Sequence, residues 1–304
     1  MSYLPTLNFE LLTCAAAAAA AAVVVSWAPM PVAAQVAPGQ AGGCPNDSAH
    51  FHPCAILKAK TLNPPRTRDG HPDLQGMWEA LTVPGGQTIE EHPGAYGFSP
   101  TNSKIVDPAD GKVPYQPWAV AQRKENEEHY IDPYAFCFPA GVPRQMYNAG
   151  SRQIIQLPES VTILSERAHL SRIIHMSGSP HVGGNITLWM GDSRGHWEGN
   201  TLVIDATNFN GRAWYDLRGH FQSDALHVVE RLTLVDANTI HYEATIEDPK
   251  VYTRPWKIAL PLTRNQQYDE IWEEGCHEGI SNSPTISNLR STGYKDYPGF
   301  TRPR

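Results

Sequence analysis

Residues Leu226-His227-Val228-Val229-Glu230-Arg231-Leu232-Thr233-Leu234 alternate apolar and polar with a period of two, as in a strand with one buried face. The apolar set is Leu226, Val228, Leu232 and Leu234, and Glu230 stands in the middle of it. Burying an unpaired carboxylate on such a stripe costs several kcal/mol. That face is therefore either the wall of a ligand cavity or the seat of a buried ion pair.

Register follows from keeping polar and apolar residues apart. A three-residue turn at Asp236-Ala237-Asn238, with Asn238 left-handed, sets Leu234 opposite Ile240, Leu232 opposite Tyr242, Glu230 opposite Ala244 and Val228 opposite Ile246. The other face then carries Arg231 opposite Glu243 and His227 opposite Glu247. A two-residue turn at Gly199-Asn200 likewise sets Glu198 opposite Thr201 and Arg194 opposite Asp205.

Strand-like stretches recur at 153–157, 161–166, 170–176, 186–191, 194–198, 201–207, 226–235, 239–247, 256–263 and 268–274. With a first strand near 74–79, they predict an all-β fold: an antiparallel meander closing into a lipocalin-like barrel of eight to ten strands, spanning 74–280. Residues 82–150 read as a Gly/Pro-rich insertion with one short helix at 117–130, opened by Pro117. Residues 36–73 read as a linker and a Cys/His loop, an irregular arm over the barrel, and 281–304 as a tail.

The N-terminal residues have the pattern of an export signal. Leu11-Leu12 leads into the Ala15–Ala22 run and Val23-Val24-Val25, and Val32-Ala33-Ala34 offers small residues for cleavage, so 1–35 is expected to be removed. No Lys or Arg precedes the run. The alternative is an uncleaved anchor, although Pro29 and Pro31 follow the run at once. The expected location is periplasmic or secreted, with no stable membrane span after cleavage. Export permits disulfides, and the remaining cysteines are expected to pair as Cys44–Cys54 and Cys137–Cys276. The competing reading of the first loop is a metal site, since Cys44, His50, His52 and Cys54 offer two sulfurs and two imidazoles.

A formal charge of −7 and the lack of a Lys/Arg stripe argue against nucleic acid as partner. No G-x-S-x-G elbow, P-loop or H-E-x-x-H motif is present, and no cofactor is expected.

On 170–176 the alternate set Leu170, Arg172, Ile174, Met176 embeds an arginine much as 226–234 embeds a glutamate. Arg172 and Glu230 are expected to meet inside the barrel, with Tyr242 beside them. They are either a structural pair that fixes register or a lumen pair that polarises a bound molecule. Without a cation, Glu230 would be a raised-pKa acid or base, so lyase or isomerase chemistry is the form an enzyme would take here. His227 joins Glu230, Arg172 and Tyr242 as a catalytic candidate. Trp197, His181 and Arg144 are the ligand-binding candidates, and Arg194, His196, Glu198 and Asp205 form a polar face.

Several longer motifs carry a resemblance. They are Arg66-Thr67-Arg68-Asp69-Gly70-His71-Pro72-Asp73-Leu74-Gln75-Gly76-Met77-Trp78, Cys137-Phe138-Pro139-Ala140-Gly141-Val142-Pro143-Arg144, Gly195-His196-Trp197-Glu198-Gly199-Asn200-Thr201-Leu202-Val203-Ile204-Asp205 and Leu226-His227-Val228-Val229-Glu230-Arg231. Together with Asp248-Pro249 through Trp256, they resemble a family of exported bacterial proteins to which no reaction is assigned. Gly76-Met77-Trp78 also resembles the opening of lipocalin-like barrels. The resemblance implies a shared fold and export, and it lends no catalytic residue. Asn200, where aspartate is the commoner form, and Cys276-His277-Glu278-Gly279 depart from the pattern.

The leading expectation is an exported barrel that binds a small, largely apolar molecule. The alternatives are a periplasmic metal-handling protein that uses the Cys44/His50/His52/Cys54 loop, and a structural envelope protein without a pocket. Oligomeric state stays open.

Overall fold

The computed structural model describes residues 39–80, 88–93, 100–267, 269–276 and 284–298. The expected signal, 1–35, lies outside the described residues. Val36–Arg304 forms one compact unit.

Nine strands close into a barrel: β1 (Gly76–Ala80), β2 (Arg152–Leu157), β3 (Ser160–Ser165), β4 (Leu170–His175), β5 (Asp192–Glu198), β6 (Thr201–Thr207), β7 (His227–Asp236), β8 (Thr239–Glu247) and β9 (Trp256–Arg264). Neighbours follow chain order around the ring, and β9 closes it by pairing with both β8 and β1. A short strand, Ile105–Asp107, extends the β1 edge of β9. Three α-helices have described bounds: α1 (Ser48–Ala59), α2 (Pro117–His129) and α3 (Pro284–Ser291).

The barrel is mixed and not a pure antiparallel meander, because β4 and β5 run parallel, with Ile174 beside Ser193 and His175 beside Arg194. Parity demands this, since strand direction cannot alternate all the way around an odd-numbered ring. A parallel junction needs a crossover connection, and 176–191 supplies it. The predicted strand at 186–191 is part of that crossover and pairs only through the isolated bridge Leu188–Phe209. The predicted strand at 268–274 is likewise absent among the described residues.

The predicted hairpins are present. Glu198 pairs with Thr201 and Arg194 with Asp205 across a turn that Gly199 opens at φ +59°. The β7–β8 pairs stand as expected, from Leu234–Ile240 through Glu230–Ala244 to His227–Glu247. The odd residue, however, lies in a bulge at Val235 and not in the turn. Asn238 is not left-handed; its amide donates to Asp236 Oδ1 at 2.8 Å and closes a tighter turn. The bulge swings Val235 to the outer face, where it packs against Phe51 and Ala55 of α1.

The segment read as an irregular Cys/His loop is therefore largely helical. Asp47 caps α1 by accepting the His50 amide at 3.1 Å. The helix carries Pro53 in its interior, a position where proline is disfavoured. Cys44–Cys54 ties α1 to the chain before it, and Cys137–Cys276 is the second disulfide. These bridges suggest an oxidising compartment. No helix among the described residues is long and apolar enough to cross a membrane.

Inside the barrel, Trp78, Ile154, Ile163, Ile174, Leu202, Ile204, Val228, Leu232, Tyr242, Ile246, Trp256 and Leu260 join one continuous core. The 208–226 connection adds Trp214, Tyr215 and Phe221 to it.

Candidate functional site

Arg172, Glu230 and Tyr242 meet in the barrel interior as expected. Arg172 Nη2 donates to Glu230 Oε2 at 2.5 Å, and Tyr242 Oη donates to Glu230 Oε1 at 2.8 Å. Arg172 Nε donates to Ser193 Oγ at 2.9 Å, while its Nη1 has no hydrogen-bond partner among the described residues. Glu230 and Tyr242 have no exposed surface. Burial first, then the charge of Glu230, pushes the Tyr242 phenol well above its ordinary pKa. Both oxygens of Glu230 are thus satisfied within the network, and Arg172 Nη1 is left over.

His227 lies on the outer face, half-exposed. Its Nε2 sits 2.8 Å from Asp205 Oδ2, closer than its cross-strand neighbour Glu247 at 3.9 Å. Asp205 Oδ1 lies 2.8 Å from His181 Nε2, and His181 Nδ1 lies 2.8 Å from Asp192 Oδ2. Two of the expected site residues, His181 and His227, thus share one carboxylate.

The other expected residues scatter. Trp197 stacks on His71 at 4.9 Å with an interplanar angle of 7°. Arg144 is buried and paired with Asp132 at 2.6 Å, away from the other expected site residues. Arg231 pairs with Glu198 at 2.8 Å, not with the facing Glu243. The four-ligand Cys/His loop does not form, because Cys44 and Cys54 spend their sulfurs on each other and His50 points to Asp47 in solvent.

Three constellations were not read from the sequence. The first is a buried cluster in the 208–226 connection. Asp216 Oδ2 lies 2.8 Å from His220 Nδ1 and accepts the Ile89 amide at 2.8 Å. Glu90 stands 3.7 Å from His220 Nε2. Burial pulls the His220 pKa down, but Asp216 and Glu90 outweigh it and hold it above the ordinary imidazole value. Burial likewise opposes ionisation of Glu90, yet His220, the Val113 amide and Lys112 lower its pKa to about 2.

The second lies under α1, where His52 meets His241 and Glu243 on the outer face of β8. Burial lowers the pKa of His52, and it lowers that of His241 to about 4, so both imidazoles are neutral near pH 7. His241 and Glu243 stand two apart on one strand, a signal visible in the sequence. Their meeting with His52 depends on where α1 docks.

The third is a cavity of about 370 Å³ beside the barrel, where the 133–143 loop, the crossover, the 208–226 connection and the C-terminal segment meet. Phe136, Phe138, Trp189 and Tyr297 wall it, with Arg212 and Asp296. Phe138 and Trp189 stack at 4.9 Å and 10°. Tyr297 is held edge-on against Trp214 at 5.0 Å. Asp296 is engaged by Arg290 at 2.8 Å. Arg212 is exposed, and its guanidinium makes no hydrogen bond or ion pair among the described residues. The Cys137–Cys276 bridge anchors the chain between Phe136 and Phe138.

No protein-family profile matches this chain, and no curated protein matches it. The likeness to exported bacterial proteins and to lipocalin-like barrels rests on the quoted motifs alone.

Proposed function

We propose that this is an exported barrel protein that binds a small, largely apolar molecule carrying a carboxylate, at the aromatic cavity beside the barrel and not in its lumen. The observation that carries the reading is the cavity of about 370 Å³ itself, aromatic on several sides and open to Arg212, whose guanidinium is unpaired among the described residues. Its size fits one small ligand. Aromatic walls supply burial and ring contacts, and a free guanidinium offers a carboxylate two parallel hydrogen bonds. Export is read from the N-terminal apolar run together with the two disulfides.

The lumen is less suited to a ligand. Both oxygens of Glu230 carry hydrogen bonds and the residue is sealed from solvent. Lyase or isomerase chemistry needs a base that a substrate can reach, and Glu230 is not one in this arrangement. A binding protein built on a closed nine-strand mixed barrel, with its ligand on the flank, fits these observations.

Naphthoate and its methyl ester are suitable probes. Quenching of tryptophan fluorescence by naphthoate, weaker with the ester and weaker again in Arg212→Gln, is the expected result. No saturable quenching by naphthoate, or quenching indifferent to Arg212→Gln, overturns the reading.

A further inference from the structure

The outer face of β8 carries a second site, independent of the aromatic cavity. His241 and Glu243 project from the same side of the strand because they are two residues apart. Helix α1 crosses over them and brings His52 down onto the pair. The helix is fixed there by the Cys44–Cys54 bridge, by Lys58 Nζ donating to Gly42 O at 2.6 Å, and by the packing of Phe51 and Ala55 on the bulged Val235. Phe51 also meets the His241 ring edge-on at 5.6 Å.

We propose that His52, His241 and Glu243 hold a divalent transition-metal ion, with zinc the first choice. His52 Nδ1 lies 3.0 Å from His241 Nε2 and 3.7 Å from Glu243 Oε2, and the three donor atoms all lie within 4.8 Å of one another. Two ligands placed about 2.0–2.1 Å from a tetrahedral ion stand roughly 3.3–3.4 Å apart. The two separations from His52 bracket that value, and the third pair, His241 and Glu243, lies within 4.8 Å, so side-chain adjustment alone brings the three donors onto one ion.

The surroundings favour an imidazole-seeking ion. Lys257 Nζ donates to Glu243 Oε1 at 3.0 Å, which orients the carboxylate and leaves Oε2 toward His52. The lysine also offsets the single negative charge. A site of two imidazoles and one partly neutralised carboxylate suits zinc or copper far better than calcium or magnesium, which want several oxygen ligands. Three protein ligands leave a fourth position open. His241 and Glu243 lie in the wall of a cavity of about 330 Å³, lined also by Ile56, Asn200, Thr201 and Arg231, which opens beside these two ligands.

The test uses the full chain with both disulfides intact, stripped with a chelator and titrated with Zn²⁺ and Co²⁺. One equivalent of each is expected to bind, with visible Co²⁺ absorption bands of tetrahedral intensity. Magnesium at the same concentration should not compete. His52→Gln and Glu243→Gln, each folded by circular dichroism, should bind at least tenfold more weakly, and His227→Asn should bind as the wild type does. The proposal is overturned by sub-stoichiometric binding, by binding unchanged in both His52→Gln and Glu243→Gln, or by binding lost in His227→Asn. The last result would place the ion at the outer His181/Asp205/His227 cluster.

Discussion

Arg172 on β4 and Glu230 on β7 stand three strands apart around the barrel, yet their side chains meet across its interior at 2.5 Å. Each would be an isolated buried charge without the other. Removing one partner of such a pair costs roughly 3–5 kcal/mol, whereas replacing both with apolar residues is often neutral or stabilising. Glu230→Gln is therefore expected to lose most of that amount in urea unfolding. Arg172→Met with Glu230→Leu should recover it, helped by removal of Nη1, which has no partner among the described residues. Equal destabilisation by the single and double variants would refute a pairwise role.

Tyr242→Phe removes one buried hydrogen bond to Glu230 and nothing else from the network. A loss of about 1–3 kcal/mol is expected, as for a hydrogen bond to a charged group. Because the phenol pKa is raised by burial, ultraviolet titration of the folded protein should show the same ionising tyrosines in wild type and variant. A phenolate signal in the ordinary range that disappears in Tyr242→Phe would place this residue in contact with water.

The Asp216–His220–Glu90 cluster predicts opposite effects on the two sides of neutrality. His220 has a raised pKa, so its contribution to stability is complete below its ordinary value of 6.5 and is lost as pH rises through the folded value. Glu90 is depressed to about 2, so its contribution is complete above 4.5 and is lost as pH falls toward 2. In thermal melts across pH, His220→Gln should flatten the decline above pH 6.5, and Glu90→Gln should flatten the acid limb. Unchanged slopes in both variants would contradict these assignments.

Cys137 and Cys276 close a loop with a sequence separation of 139 residues, next to Phe136 and Phe138. The chain-entropy argument gives a bridge of that span about 4–5 kcal/mol. Cys137→Ser with Cys276→Ser is expected to weaken naphthoate binding at least tenfold in protein that still gives the far-ultraviolet signature of the barrel. Full affinity in the bridge-less protein would show that the aromatic loop holds its shape without it.

The strand register was legible because one-sided burial forces polar and apolar residues onto opposite faces, and a slip by one residue reverses both. That logic placed Glu230 inward and His227 outward, and it found Arg172 as the inner partner. It failed where tertiary docking decides. The parallel β4–β5 junction follows from ring closure, which no local pattern encodes. Helix α1 carries an interior proline, Pro53, and so lacks a clean helical signature. Arg231 and Glu243 face each other in register but turn to Glu198, two strands away, and to Lys257, diagonal on the next strand, because long side chains reach past their facing neighbour. The aromatic cavity draws on four separated segments, and the His52 site on two, so neither has a local signature.

In the function proposed above, the ligand sits on the flank of the barrel and the buried pair only holds the barrel together. Calorimetric titration of naphthoate into wild type, Arg212→Gln and the Arg172→Met/Glu230→Leu double variant tests it most directly. Binding at least tenfold weaker, about 1.4 kcal/mol, is expected in Arg212→Gln, with wild-type affinity in the double variant. Affinity kept in Arg212→Gln and lost in a folded double variant would contradict it and return the ligand to the lumen.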